Sequence, residues 1–330
     1  MKKLSVGVVI CTFNGVKYLL EQLESILKQT YLPDHIVISD DGSTDGTWDF
    51  LESWVSKQPG IEVTIIRNEK QLGVLRNFEG AVSRITTDLI FCSDQDDIWF
   101  TDKVEVMIKV FEERKDVLLA HSDSLLIDMS GEALGLTLFD TLRLSKRERL
   151  AIHNGNAFDV LCRRNVVSGA TLVFRRQLLQ MAGPTPYNYY PDEWLAIIAA
   201  GMGTVELIDR PMIKYRQHES NMVGATKKGL IEELKQIWWD INSHRSLANL
   251  TESTIKKREV LYEHLAANGN VTERRLRVAL DALEFSNTRK VLPKNVAWRF
   301  IKVLKNVFNK KYFRFSYAPR ADIVRDIINK

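Results

Sequence analysis

Cysteine is scarce in this 330-residue sequence: Cys11, Cys92 and Cys162 are odd in number, far apart and set in apolar runs. That pattern excludes a disulfide framework and a zinc site and predicts reduced core residues. In such a setting the sequons Asn249-Leu250-Thr251 and Asn270-Val271-Thr272 carry no meaning. Long apolar runs are missing too, and none reaches the roughly 18 residues of a membrane-spanning helix. Met1-Lys2-Lys3 and the short apolar segment behind it lack a small-residue cleavage site, so that segment reads as a strand of a cytoplasmic protein. No G-x-G-x-x-G follows it, and Gly201-Met202-Gly203 lacks the third glycine, which argues against a nicotinamide dehydrogenase. A nucleotidyltransferase would need a glycine-rich basic loop at C-T-F-N-G. Repeats and low-complexity tracts are absent.

Negative charge is nearly missing from one region only. From Arg289 onward twelve Lys or Arg face Asp322 and Asp326, a net of +10 in a chain of net +4. The preceding residues therefore sum to −6, and the basicity belongs to the tail.

What is present begins with alternation. Residues 4–11 form a β-branched run, and Tyr18 to Gln29 then carries Leu19, Leu20, Leu23, Ile26 and Leu27 at helical spacing. Strands follow at 35–39, 62–66 and 88–92, with helices at 47–55, 74–83 and 102–113. This order predicts right-handed crossovers and a mixed, mostly parallel sheet with helices on both faces, binding its ligand at the strands' carboxyl ends. Further strands are expected at 117–120, 125–128, 170–174, 204–208 and 212–215, and a helix at 192–200. From about Thr226 only charged helical segments remain, so the expected division is 1–225 and 226–330.

The polar stretches sit at strand ends. Asp40-Asp41-Gly42-Ser43-Thr44-Asp45-Gly46-Thr47 has the residues of a turn and helix cap, and equally of a site accepting hydrogen bonds from a nucleobase or ribose. Thr12-Phe13-Asn14-Gly15 would form the neighbouring wall, and Arg76 offers a diphosphate contact or a solvated helix position. Ser93-Asp94-Gln95-Asp96-Asp97-Ile98-Trp99 crowds three carboxylates after an apolar strand, where mutual repulsion calls for a cation. A divalent ion bridging the phosphates of a nucleotide donor would supply it.

V-V-I-C-T-F-N-G, V-I-S-D-D-G-S-T-D-G-T and S-D-Q-D-D-I-W-x-x-D-K together resemble the large inverting glycosyltransferase family 2, over about residues 4–224. The resemblance implies the GT-A fold, a nucleotide-sugar donor and a Mn2+ or Mg2+ cofactor. It implies Thr12, Asn14, Asp40, Asp41, Arg76 and Asp94 as donor contacts and Asp96 as a metal ligand. Asn165 to Thr171 is similar to the family's acceptor-side loop, in which Gly169 would let backbone approach the donor sugar. Tyr190 to Ala196 is similar to its base motif, which makes Asp192 the catalytic base, although an N-cap role suits the same residue. Pro191 stands where related enzymes often carry His. His218, in Y-R-Q-H, would add a metal or diphosphate ligand after the last strand. Those motifs are most similar to bacterial polysaccharide rhamnosyltransferases, implying dTDP-rhamnose and a glycan or lipid-linked glycan acceptor. A UDP-hexose transferase and a non-catalytic sugar-nucleotide-binding protein are the alternatives.

Asn295 to Asn309 places Val296, Phe300, Val303, Leu304 and Val307 on one helical face, with Arg299, Lys302 and Asn306 opposite. Through residues 289–330 such a basic amphipathic helix can lie at the inner face of the plasma membrane, cap the catalytic domain or mediate a homodimer. Nucleic acid is not expected, because no recognised binding module accompanies the charge.

Overall fold

The computed structural model describes residues 3–57, 60–218 and 247–328. The expected boundary at 225/226 lies outside the described residues. The amino-terminal half alternates as its periodicity predicts: β1 (Val6–Thr12), α1 (Val16–Leu27), β2 (His35–Asp40), α2 (Thr47–Val55), β3 (Glu62–Arg67), α3 (Val74–Val82), β4 (Leu89–Ser93), β5 (Ile98–Trp99) and α4 (Lys103–Glu113). Next come β6 (Val117–Ile127), β7 (Ala133–Thr137), the short helices α5 (Leu138–Thr141), α6 (Lys146–His153) and α7 (Ala157–Leu161), a single 3-10 turn (Gly169–Thr171) and β8 (Leu172–Arg175). Helices α8 (Gln177–Ala182) and α9 (Pro191–Met202) lead into β9 (Thr204–Arg216).

The strands form one sheet in the order β3-β2-β1-β4-β8-β6-β9-β5, with β7 paired to β6. Parallel pairing joins β3, β2, β1 and β4, while β8 runs antiparallel to both β4 and β6. Along β1, Val6, Val8 and Ile10 enter one apolar core and Val9 the other, so the two-residue period buries both faces.

Two details differ from expectation. The segments 117–120 and 125–128 are one strand, because His121, Ser122, Asp123 and Ser124 are buried within it rather than forming a loop. Likewise β9 runs through 204–216, and its pairing with β6 shifts register near Pro211, which has no N–H to give.

Helices Leu247–Ala266, Glu273–Lys290, Val296–Phe308, Lys311–Phe315 and Pro319–Ile328 complete the described chain. Leu261, Leu265, Val278, Phe285, Val303 and Tyr312 share a core with Trp194 of α9 and Phe158 of α7. At Gly201 an added Cβ would fall 2.9 Å from Leu265 Cδ2, so glycine permits that close approach. In Val296–Phe308 the face expected to be outward is partly inward. Arg299, Val303 and Asn306 are buried, whereas Val296 and Phe300 are exposed. The reason is hydrogen bonding: Arg299 donates to the carbonyls of Pro293 and Lys294, both at 2.8 Å, which makes its burial tolerable.

Candidate active site

Because β3, β2, β1 and β4 are parallel neighbours, the loops leaving their carboxyl ends lie side by side. Between the loops after β1 and β2, Asn14 N donates to Ser43 Oγ (2.9 Å), Thr44 N to Asn14 Oδ1 (2.9 Å) and Gly15 N to Thr47 Oγ1 (3.0 Å). Asn14 sits at φ 50°, a left-handed conformation that asparagine tolerates better than most residues. Thr12 and Asp40 lie beneath this surface: Asp40 accepts from Thr12 Oγ1 (2.9 Å), Ser43 N (3.0 Å) and Ser43 Oγ. With both side chains buried, they brace the loop.

Asp41 is buried as well, under the loop after β3. Its Oδ1 accepts from Asn68 Nδ2 (2.9 Å) and Leu72 N (2.8 Å), and its Oδ2 from Gly73 N (2.9 Å). A carboxylate accepts about four hydrogen bonds, which leaves Oδ2 one position. Arg76 is exposed on α3 and pairs with Glu79 at 3.1 Å. Its buried neighbour Asn77, unnoticed in the sequence, joins Ser39 and Asn68 instead.

The three crowded carboxylates separate. Asp94 opens to solvent, Asp96 meets His218 (Oδ2 to Nε2, 2.7 Å), and Asp97 turns inward to accept from Arg216 N at 3.0 Å. This convergence follows from topology, since β5 runs antiparallel to the end of β9 and pairs Ile98 with Lys214. Arg216, buried, fastens the turn by donating to Asp96 O (2.8 Å) and Glu21 Oε2 (2.6 Å). Gln95, between the two functional candidates, was missed: its amide accepts from Phe13 N (2.9 Å) and donates to Phe13 O (3.1 Å). An amide can do both at once, which is the signal its type offered.

On the other side β8, antiparallel to β4, brings Gly169 to the same end of the sheet. An added Cβ at Gly169 would lie 3.9 Å from Asp192 Cβ. Asp192 is in the first turn of α9, which Pro191 opens at a position needing no N–H donor. Burial pushes its carboxyl up to about 6, against the N–H groups of Glu193, Asp192 and Gly169, which favour the anion.

Burial and the charges of Asp96 and Asp192 push Asp94 up to about 7; because water also reaches this carboxyl, screening takes back part of that rise. Asp97 is raised too, by burial first and then by Asp94 and Asp96. Lys103 supplies the positive charge these groups share. Wholly buried at the start of α4, it donates to Ala170 O at 3.0 Å, lies 3.8 Å from the Trp99 ring centroid, and is driven by burial down to about 7.

Asp94, Asp96 and His218 offer carboxylate oxygens and an imidazole, which suit Mn2+ or Mg2+. Among the described residues no three His, Cys, Asp or Glu are already gathered as a metal centre. An ion held partly by a donor's phosphates needs only one or two protein carboxylates, so the residues present fit it.

Residues 7–166 match the family model described as Glycosyl transferase family 2. An uncharacterized glycosyltransferase of Nostoc sp. is 25% identical over 224 residues, 66% of this chain and 66% of the relative, so the match spans just under two thirds of that protein. The dTDP-rhamnosyl transferase RfbG of Shigella flexneri is 28% identical over 239 residues, 66% of this chain and 74% of that one. Among solved structures, the mannosyltransferase PcManGT from Pyrobaculum calidifontis, in complex with GDP-Man and Mn2+, superposes with a TM-score of 0.52 at 16% identity, covering 98% of this chain and 84% of that one. That likeness shows the fold, GT-A. The family match covers 7–166, just under half of the chain and the part that builds the strand-end loops, so the chain is similar there to the family 2 glycosyltransferases, rhamnosyltransferases among them.

Proposed function

We propose that this protein transfers a sugar from a nucleoside diphosphate, dTDP-L-rhamnose, to a hydroxyl of a glycan or lipid-linked glycan in bacterial surface polysaccharide synthesis. The similarity to the Shigella rhamnosyl transferase supports the donor. The observation that carries the chemistry is geometric: β8, antiparallel to β4, brings Gly169, with Asp192 Cβ 3.9 Å from where its own Cβ would stand, to the sheet end that carries Asp94.

In this reading the loops at 12–15 and 41–44 hold the nucleoside, with Asp41 and Asn14 facing it and Arg76 available to the diphosphate. Asp96 and His218 would hold the divalent ion, with Asp94 beside them at the donor, and the ion when bound would offset negative charge on the departing phosphate. Asp192 accepts the acceptor hydroxyl's proton as its oxygen bonds the anomeric carbon and the carbon–oxygen bond to the phosphate breaks. A single displacement inverts that carbon. Gly169 leaves room for the sugar beside the base. Residues 1–225 are taken as the catalytic unit, and within 226–330 the described helices of 247–328 pack beside it.

A panel of nucleotide sugars with manganese or magnesium tests this. Turnover of dTDP-rhamnose is expected; turnover of UDP-glucose or UDP-galactose instead rejects the donor, and no turnover of any rejects the activity. Asp192→Asn should keep nucleotide binding and lose transfer by about 10^2 to 10^4-fold. Calorimetry of Asp96→Ala should show donor binding that no longer responds to manganese.

A further inference from the structure

The helix Val296–Phe308 turns Arg299, Val303 and Asn306 inward, and its opposite face carries Trp298 (64% exposed), Ile301 (54%) and Phe308 (81%). With exposed Lys305 these stand at i, i+3, i+7 and i+10, a single stripe on a helix about 20 Å long. One exposed apolar side chain is ordinary; an aligned set including a tryptophan marks a contact surface.

The surrounding charge has one sign. Lys290, Lys294, Lys302, Lys305, Lys310 and Arg320 are exposed. The two carboxylates of the segment are both buried and bound to Arg289, Asp322 at 3.0 Å and Asp326 at 2.6 Å. Among the described residues, then, 289–328 present cations and no exposed carboxylate to solvent.

We infer that this face docks on a lipid bilayer containing anionic headgroups. Lysines around a ridge of tryptophan and phenylalanine match an interface that is negative at its surface and apolar a few ångströms below it. A second copy fits worse, since a two-fold contact sets this face against itself and opposes its own lysines. Nucleic acid would use the cations but leave Ile301 and Phe308 in water.

The test uses the full chain and sedimentation with vesicles of phosphatidylcholine alone or mixed with phosphatidylglycerol. Partitioning onto the mixed vesicles is expected, weakening as salt rises. Trp298→Ser with Phe308→Ser should lower the partition coefficient at least about ten-fold, and Lys302→Glu with Lys305→Glu should abolish the preference for phosphatidylglycerol. Both variants alter exposed positions, so unchanged thermal melting and donor hydrolysis accompany the expected result. The inference fails if the native protein ignores the mixed vesicles, or if both double variants partition as it does. It also fails if light scattering without lipid shows a dimer that Trp298→Ser with Phe308→Ser dissolves, or if duplex DNA binds through this face while vesicles do not.

Discussion

At Asp192 burial and hydrogen bonding pull one proton in opposite directions, and burial prevails, setting the carboxyl at about 6. A general base works only when ionised. Its rate contribution is therefore full above that value and lost as pH falls through it, and kcat/KM, which reports the free enzyme, should show an acid limb near pH 6. Rates are best measured at saturating divalent ion, which keeps metal-binding carboxylates deprotonated. A profile flat down to pH 4.5 would remove Asp192 from the role. Lys103 poses the opposite problem, a cation wholly buried, held by Ala170 O and the Trp99 face. Lys103→Met matches its length but leaves that carbonyl without its partner and Asp97 without its nearby positive charge. Denaturant melts should show a loss of about 1–3 kcal/mol. Since Ala170 adjoins Gly169, kcat should fall more than donor affinity.

Among the elements, those with a clean period were legible in the sequence. Helix α2 and strands β1 to β4 come where their apolar spacing puts them, since each turns apolar side chains to a core, β3 at the sheet's edge only in part. Strand β6 looks like two strands in the sequence because buried polar residues such as His121 interrupt its apolar run. Helices α5 to α8 are four to eight residues long, too short for a helical period to appear. In the site, residue types at strand ends marked Asp41 and the Asp94–Asp97 cluster, whereas Asp192 and His218 were expected through the family resemblance alone. Pairings could not be read, because Asp96 meets His218 only through β5 lying against β9. Gln95 is such a pairing. It ties the turn after β4 to the loop after β1, and a Cβ on Gly15 would fall 2.1 Å from its Oε1. Gln95→Ala should raise donor KM by about ten-fold, two exposed hydrogen bonds contributing roughly 1–2 kcal/mol. Gly15→Ala should do the same by expelling the amide. Combined, the two should cost little more than either alone, as expected of residues acting through one contact.

For the whole molecule, the question is how the carboxy-terminal helices bear on chemistry at the far end of the sheet. They share the core of α9, and their polar attachment falls next to the candidate base. Lys257 Nζ donates to Glu193 at 2.6 and 2.9 Å, and the Tyr189 hydroxyl donates to Lys257 O at 2.9 Å. Glu193 follows Asp192 directly, and its negative charge helps hold the Asp192 proton on. A cation on Glu193 offsets that charge, so in the proposed mechanism the helical region tunes the candidate base through Glu193. Lys257→Met leaves Glu193 uncompensated, which should move the acid limb of kcat/KM to higher pH by a few tenths of a unit, the scale of one partly screened charge. Glu193→Gln removes the repelling charge and should move the limb to lower pH. In the double variant neither charge remains, and because Lys257 acts on Asp192 through Glu193, the limb should sit close to where Glu193→Gln alone puts it. Were both single variants to shift the limb in the same direction, the coupling through Glu193 would be wrong, and the helices would serve the fold alone.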